Sequence, residues 1–277
     1  MSDLIKSGIL GIIQGITEFL PVSSTGHLII IEIFLGISQS KFGLGFDAAL
    51  HMGTLVALLL FFKKEWQQLF ISGIEIIKKR QIRSDSEKLV ILLIIGTIPG
   101  MIFGLLLEKK IETVFRSPIL VALMLIVFSS VLIYVEITGK KARSIHSMNR
   151  WESVKVGLAQ SLALIPGVSR SGITMATGMW EGLTREEASR FAFLLSAPII
   201  AGAGGLKLVK TLLLFLHGSL TISDLLFFIT GIVTAAIFGY LTIKYFLRYI
   251  SKNSLYPFII YRIALGLVLL ILGFLKF

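Results

Sequence analysis

Two apolar segments of this chain are each broken in the middle by proline, glycine and a cluster of hydroxyl side chains. The segments cover residues 4–35 and 151–182, and the breaks fall at Pro21 and Pro166. Proline cannot donate a backbone hydrogen bond, and glycine is a poor helix former, so neither segment is expected to form one continuous helix. Each segment is therefore predicted to be two short helices joined by an irregular turn.

The composition places these segments in a membrane. Of the 277 residues, 55% are hydrophobic and only 16% are charged, and the mean hydropathy is +0.88. A soluble protein of this length carries far more charge. Several further stretches approach or exceed the ~20 apolar residues that a spanning helix needs. Six membrane spans are predicted, over residues 46–62, 88–107, 117–137, 188–206, 222–246 and 255–276.

The two broken segments require a different arrangement from these six spans. Irregular backbone at membrane depth is tolerated only where protein or a water-filled cavity satisfies its polar groups. Both segments are therefore predicted to be re-entrant helical hairpins, which enter and leave the membrane on the same side. The predicted fold is all-α, with six transmembrane helices and two re-entrant hairpins in a single domain.

Basic residues indicate how this fold is oriented. With six spans and two hairpins, three basic loops fall on one side, which should be cytoplasmic. They contain Lys63, Lys64, Lys78, Lys79, Arg80, Arg83 and Lys88, then Lys140, Lys141, Arg143, Arg150 and Lys155, and then Arg248 and Lys252. A loop near Lys109, Lys110 and Arg116 is a mild exception on the other side. The net charge of +11 is thus assigned to cytoplasmic loops, and no nucleic-acid partner is expected.

On this map the first hairpin enters from outside and the second from the cytoplasm. Each half, about residues 1–145 and 146–277, then holds one hairpin and three spans in opposite orientations. Such an inverted-topology repeat places its site near the midplane, between the broken helices. The start of the chain has no basic region or plausible cleavage site, so no removable signal peptide is expected. The chain has no cysteine, which excludes disulfides, thiol nucleophiles and thiolate metal sites.

The two breaks carry related sequences. When the second segment is shifted by 146 positions, Gln14 coincides with Gln160, Val22 with Val168, Ser23 with Ser169, and Gly26 with Gly172. The first copy also carries the carboxylate of Glu18 and the imidazole of His27, whereas the second carries the guanidinium of Arg170. Together these groups could bind and cleave a phosphate ester or anhydride at a membrane.

Each break is followed by a new helix beginning near Gly26 or Gly172, and free amides at a helix N-terminus bind anions. Hydroxyl groups at the same places are predicted to join them, from Ser23, Thr25, Ser169, Ser171 and Thr174. Arg170 adds a permanently charged fork that suits phosphate oxygens. An arginine inside a membrane hairpin needs an anionic partner. That partner is either a diphosphate or Glu18.

Glu18 follows Gln14 by one helical turn, so both side chains project from one face. Their oxygens suit a hard divalent cation such as Mg²⁺ or Ca²⁺, and the alternative is a polar pair in helix packing. His27 lies three residues after Ser24 and could act as general acid or base on Ser24 or on a water molecule. Asp47 and His51, also one turn apart, are interpreted as interfacial, with support of the site as the alternative.

The stretches Gln14–His27 and Pro166–Thr174 resemble the two signature motifs of the undecaprenyl pyrophosphate phosphatase family, also called the bacitracin-resistance protein family. The resemblance extends over essentially the whole chain in length, hydropathy and motif placement. It implies a multi-pass enzyme of the bacterial inner membrane that cleaves undecaprenyl diphosphate to undecaprenyl phosphate and phosphate. This reaction recycles the lipid carrier for peptidoglycan synthesis and gives bacitracin resistance.

The resemblance also implies roles for particular residues. Glu18 matches the carboxylate linked to catalysis and metal use, and Gln14 occupies a position that is Glu or Gln in the family. Ser24 and His27 match the proposed nucleophile and its proton-transfer partner. Ser169, Arg170 and Thr174 match the group that binds the diphosphate. Whether Ser24, His27 or water attacks is left open, as is a homodimer, and the cleft is expected to face outward.

A transporter and two other classes of hydrolase are the alternatives to this function. A polyprenyl-phosphate transporter or flippase could use the same anion site, since inverted repeats and broken helices are common in transporters. The motifs of type-2 phosphatidic acid phosphatases are partly similar. However, residues 171–180 contain no histidine, and the basic motif that comes first in those enzymes is absent from this chain. Gly167–Ser171 does not match the Gly-x-Ser-x-Gly pattern of serine hydrolases.

Overall fold

The computed structural model describes residues 2–36, 43–113, 117–217 and 221–276. Within these ranges the named elements are all helical, as predicted. They are α1 (Asp3–Thr17), α2 (Ser24–Phe34), α3 (Gly43–Phe61), α4 (Lys63–Lys79), α5 (Asp85–Thr113), α6 (Pro118–Thr138), α7 (Arg150–Leu162), α8 (Arg170–Trp180), α9 (Arg185–Leu216), α10 (Ile222–Ile250) and α11 (Tyr256–Lys276), with a 3₁₀ turn at Ile145–Ser147. Arg116, in the exceptional basic loop, lies outside the described residues.

Each of the six predicted spans coincides with one of these helices. Among the described residues, four helices are long and apolar enough to cross a membrane, namely α5, α6, α9 and α10. A fifth span is reached if α3 is counted together with α4, to which it is joined by an 83° bend. The apolar part of α11, Tyr256–Leu272, is a shorter helix. The chain is therefore an all-helical protein with four or five candidate membrane spans.

Helix α4 corrects the interpretation of residues 63–88 as one long loop. The basic residues at both ends of this stretch suggested a loop, yet Lys63–Lys79 is helical. Leu69 is buried, while Phe70, Ile74 and Ile77, which share a face by their spacing of four and three, are exposed. The helix is thus amphipathic, and its charges mark the ends of a helix rather than an unstructured connection.

The two predicted breaks are present, because α1 is separated from α2 and α7 from α8 by short turns. Ser23 and Ser169 precede the second helix of each pair, and their backbones are nearly the same. Ser23 has φ 72° and ψ 90°, and Ser169 has φ 74° and ψ 111°. A positive φ is uncommon for a residue other than glycine and is often kept at functional sites.

The two halves exchange packing partners. Helix α1 packs on α10, whereas α7, at the corresponding position of the second half, packs on α5. Helices α3 and α9 pack on each other, and so do α6 and α11. Each hairpin therefore packs against a helix of the other half, and this packing brings the two breaks into the interior between the halves.

One pair of serines illustrates this exchange. The Ser7 hydroxyl of α1 donates to the Phe227 carbonyl of α10 at 2.5 Å. The Ser153 hydroxyl of α7, 146 positions later, donates to the Leu92 carbonyl of α5, also at 2.5 Å. Both serines are fully buried. The repeat therefore extends from the polar breaks into the helices that lead to them.

Close packing of these helices depends on two glycines at the same spacing. A Cβ atom at Gly11 would lie 2.5 Å from the Gly231 carbonyl oxygen of α10. A Cβ atom at Gly157 would lie 2.3 Å from the Gly96 carbonyl oxygen of α5. The backbones of the paired helices therefore approach too closely for any residue larger than glycine. This is common where membrane helices pack through small residues.

Candidate active site

The tips of the two hairpins contact each other. The backbone N–H of Gly167 donates to the Ser23 hydroxyl at 3.0 Å. In return, the Ser171 hydroxyl donates to the Leu20 carbonyl at 2.8 Å. Each tip thereby satisfies polar groups that the other tip leaves free, which explains how irregular backbone is accommodated in an apolar protein.

Arg262 of α11 connects both tips, although no pattern in the sequence had singled it out. Its side chain is fully buried, and its guanidinium donates to the carbonyls of Pro21 at 3.0 Å, Gly167 at 3.0 Å and Val168 at 3.2 Å. These carbonyls lie where the helices are broken, so intrahelical partners are lacking. An ionisable residue inside an apolar stretch is by itself a signal of function or structure, and this signal could have singled out Arg262.

A cavity of about 140 Å³ opens where the tips meet. It is lined by Glu18, Ser23, Ser24, Thr25, His51, Gly100, Gln160, Ala163, Leu164, Pro166, Ser169, Arg170 and Ile199. The first turns of α2 and α8 both contribute to its wall, so two helix N-termini are directed toward one space, an arrangement that suits an anion. A cavity therefore lies between the hairpins, at the place where the sequence predicted an anion site.

Glu18 lies at the centre of the polar contacts. One carboxylate oxygen forms an ion pair with the Arg170 guanidinium of the other hairpin. The second oxygen accepts a hydrogen bond from the Ser24 hydroxyl at 2.6 Å and one from the Gln14 amide at 2.9 Å. The side chain is 3% exposed. A buried carboxylate needs such partners, and here they come from both hairpins.

His51 joins this cluster, although the sequence favoured an interfacial position for it. Its Nε2 lies 3.5 Å from a Glu18 oxygen, and its Nδ1 lies 2.7 Å from the Asp47 carbonyl oxygen. Because a carbonyl can only accept, Nδ1 carries a proton. The ring therefore lies between a backbone carbonyl and the Glu18 carboxylate. Asp47 itself lies in an adjoining groove.

His27 occupies a different environment from the one expected. Its Nδ1 donates to the Ser23 carbonyl at 2.8 Å, and its Nε2 lies 2.6 Å from the Tyr261 hydroxyl. The two rings are stacked, with their centres 5.6 Å apart. His27 is not among the residues that line the cavity. The structure thus brings the Ser24 hydroxyl to Glu18 and directs both nitrogens of His27 elsewhere.

The remaining hydroxyl residues divide into two groups. Ser23, Thr25 and Ser169 line the cavity, as expected. Ser171 bonds to the first hairpin instead, and the Thr174 hydroxyl donates to the Arg170 carbonyl at 2.7 Å. Ser171 and Thr174 are both buried and lie outside the cavity lining. Their contacts stabilise the conformation of the second hairpin.

Gln14 bears on the expected divalent cation. It is fully buried, and while its amide nitrogen bonds to Glu18, its amide oxygen has no partner. The part of the chain that the structure describes holds no group of three or more His, Asp or Glu residues fit for a metal. The unpartnered oxygen beside a carboxylate nevertheless fits a hard cation that takes further ligands from phosphate and water.

An apolar groove of about 240 Å³ continues from the cavity. The two share Thr25, His51, Pro166, Arg170 and Ile199, and the groove continues along Leu28, Ala48, Ile200, Ala203 and Gly204 to Asp47 and Lys207. The polar cavity therefore opens onto a mostly apolar path between α2, α3 and α9. Such a path suits a ligand with a charged head and a hydrocarbon tail.

Comparison with known proteins identifies relatives over the full length. The family model described as bacitracin resistance protein BacA matches residues 7–268. The undecaprenyl-diphosphatase of Rubrobacter xylanophilus is 42% identical over 267 residues, which are 96% of this chain and 97% of that protein. The undecaprenyl-diphosphatase of Moorella thermoacetica is 43% identical and covered at 99% in both chains. That of Geotalea daltonii is 44% identical, with 97% and 98% covered.

Proposed function

The chain belongs to the bacitracin resistance protein BacA family and is an undecaprenyl-diphosphatase, and we propose that the cavity between its two hairpin tips is the active site. The observation that carries this proposal is the contact of Glu18 with Ser24 on its own hairpin and with Arg170 on the other. An acid, a hydroxyl and a guanidinium at one point of a buried cavity are suited to phosphoryl transfer.

The diphosphate head group binds at this point because three positive features converge there. Arg170 offers a fork of N–H donors, and the N-terminal turns of α2 and α8 offer free amides and the hydroxyls of Thr25 and Ser169. Arg170 pairs with Glu18 in the structure. An entering diphosphate competes for the guanidinium, which turns a structural ion pair into a substrate contact.

Ser24 is the nucleophile in this proposal, because its hydroxyl already donates to a carboxylate. Its Oγ attacks the terminal phosphorus, its proton passes to Glu18, and the phosphoanhydride bond breaks to release undecaprenyl phosphate. Glu18 passes this proton to the leaving undecaprenyl phosphate. Water then attacks the phosphoserine and gives a proton to Glu18, which returns it to the Ser24 oxygen as the bond between that oxygen and phosphorus breaks and inorganic phosphate leaves. Arg170 stabilises the charge on the transferred group.

A divalent cation fits beside this machinery. Glu18 and the unpartnered amide oxygen of Gln14 would hold Mg²⁺ or Ca²⁺. When bound, the cation would supply positive charge that neutralises part of the charge of the diphosphate. A neutral glutamine replaces a second carboxylate at this position, so the substrate itself must complete the set of ligands.

The surrounding architecture is proposed to be six spans and two re-entrant hairpins, arranged as an inverted repeat in the bacterial inner membrane. The exchanged packing of α1 and α7, the paired contacts of Ser7 and Ser153, and the matching backbone of Ser23 and Ser169 support it. The cavity faces outward in this arrangement, and the isoprenyl tail lies along the apolar groove. Because the chain has no cysteine, a single Ser84→Cys or Ser117→Cys substitution tests the topology. An impermeant maleimide added to intact cells should label only Ser117→Cys.

The reaction itself is tested by phosphate release from undecaprenyl diphosphate by the purified protein in detergent, with and without EDTA. The wild-type protein should release phosphate, and chelation should stop the release until Mg²⁺ or Ca²⁺ is restored. Arg170→Ala should remain folded and release almost none. Lipid that crosses liposomes without hydrolysis would instead favour the flippase, and full activity in EDTA would remove the cation from the proposal.

A further inference from the structure

We propose that Gln160 is a further substrate-contacting residue, whose side-chain N–H donates a hydrogen bond to an oxygen of the diphosphate head group. The proposal rests on the active site proposed above. Gln160 lies in the last turn of α7 and is only 3% exposed. It lines the same cavity as Glu18, Ser24 and Arg170, but no sequence motif had assigned a role to it.

Both polar atoms of the Gln160 side chain lack hydrogen-bond partners. The Nε2 and the Oε1 of Gln160 are buried, and neither has a hydrogen-bond partner. Buried polar side chains are nearly always satisfied, because an unpaired amide loses its bonds to water without compensation. A buried and unpaired amide on a residue that lines a cavity is therefore suited to a ligand.

The counterpart of Gln160 in the first hairpin has a partner within the chain. Gln14, 146 positions earlier, donates its amide N–H to Glu18, which lies one turn further along the helix. In the second hairpin the position one turn after Gln160 is Leu164, whose side chain cannot accept a hydrogen bond. The partner that the chain supplies to Gln14 is thus missing for Gln160, and the substrate takes its place.

The space around the Gln160 amide is kept open by a glycine. Gly100 of α5 also lines the cavity, and a Cβ atom at this position would lie 3.2 Å from Nε2 of Gln160. Glycine therefore keeps the amide nitrogen free of side-chain contact from α5. A neutral donor at this point adds a directed hydrogen bond to the charged contact of Arg170 without a second negative charge to repel the diphosphate.

The test uses two substitutions of nearly the same length, Gln160→Met and Gln160→Glu, in the full-length purified enzyme. In Gln160→Met, kcat/KM should fall roughly 10- to 100-fold, as expected for a lost hydrogen bond to a charged group. Its Tm should be equal to or above that of the wild type, because an unsatisfied amide is replaced by an apolar group. Gln160→Glu should lose more activity than Gln160→Met, because its carboxylate repels the diphosphate.

Gln67→Met on the exposed part of α4 is the matched control and should change neither activity nor Tm. Wild-type activity of Gln160→Met would overturn the inference. A Tm of this variant so far below that of the wild type that unfolding explains the loss of activity would also overturn it. Activity of Gln160→Glu at or above that of the wild type would also overturn it, since the oxygen would then be the functional atom. Wild-type enzyme measured in the same preparation tests the diphosphatase reaction separately, so the two proposals can fail independently.

Discussion

The first hairpin (α1 and α2) and the second (α7 and α8) have nearly the same backbone but opposite chemistry. Ser23 and Ser169 adopt matching positive φ angles before their helices. The next residue is Ser24 in the first hairpin and Arg170 in the second. One backbone arrangement used twice thus places two helix N-termini beside one cavity, and the residue after each break adds a hydroxyl on one side and a guanidinium on the other.

The hairpins also differ in how their tips are held. The first tip is attached to α11 through His27 and Tyr261, whereas Ile173 stands at the corresponding position of the second tip and cannot form such a contact. Arg262 donates to both tips. Helix α11 therefore contacts both tips through Arg262 and the first tip also through Tyr261, which indicates that it holds the two hairpins in position.

Substitution of the residue after the first break should have the largest effect. Ser24→Ala is expected to lower kcat by at least about 10⁴-fold, because the attacking oxygen is removed. Phosphate release by the purified variant measures this loss. Ser130→Ala on α6, whose hydroxyl bonds only within its own helix, should retain full activity. Ser24→Ala with more than a tenth of wild-type kcat would exclude Ser24 as the nucleophile.

Substitution of the residue after the second break comes next. Arg170→Ala should lower kcat/KM by roughly 10³-fold, the size of effect seen for an arginine that stabilises a transferred phosphoryl group. Arg170→Lys should recover part of this loss, since it restores the charge without the fork. The same assay measures both variants. Equal activity of the alanine and lysine variants would show that charge at this position is unimportant.

The shared support of the two tips is tested by Arg262→Met. Removal of the guanidinium leaves the carbonyls of Pro21, Gly167 and Val168 without a buried donor, so the protein should lose about 2–3 kcal/mol of stability. Thermal denaturation in detergent detects this as a lowered Tm, and activity should fall in parallel. An unchanged Tm with lost activity would instead mean that Arg262 contacts the substrate.

The smallest effect is expected at the attachment of the first tip alone. His27→Ala should lower kcat/KM only about tenfold, in line with the loss of one hydrogen bond that positions the tip. Tyr261→Phe should have a similar effect, and the double variant should be no worse than either single one, because both belong to one contact. A loss in His27→Ala as large as that in Ser24→Ala would make His27 a direct participant in proton transfer.

Local chemistry explains which parts of the fold were predictable from the sequence. The breaks in the two hairpins follow from Pro21 and Pro166, and the long helices from the apolar runs, since both depend on neighbouring residues. Helix α4 was missed because its terminal lysines suggested a loop, although its apolar residues recur on one face. Charge alone does not separate an amphipathic helix from an irregular connection.

The site was predictable only as far as the motifs extended. Glu18, Ser24 and Arg170 share motifs with hydroxyl clusters, and the structure brings all three together. Arg262, Gln160 and the proximity of His51 to Glu18 depend on contacts between distant parts of the chain, which no local pattern records. The partner of His27 lies 234 positions away, so the expectation that it acts on Ser24 could not be checked against sequence spacing.

The most direct test of one active site built from both hairpins is an experimental structure with a non-hydrolysable methylene diphosphonate analogue of the lipid. We expect the terminal phosphonate in the cavity, with an oxygen within hydrogen-bond distance of the Arg170 guanidinium and its phosphorus facing the Ser24 hydroxyl. The ion pair between Arg170 and Glu18 should be broken or lengthened. A head group bound away from the hairpin tips, with that ion pair intact, would contradict the account.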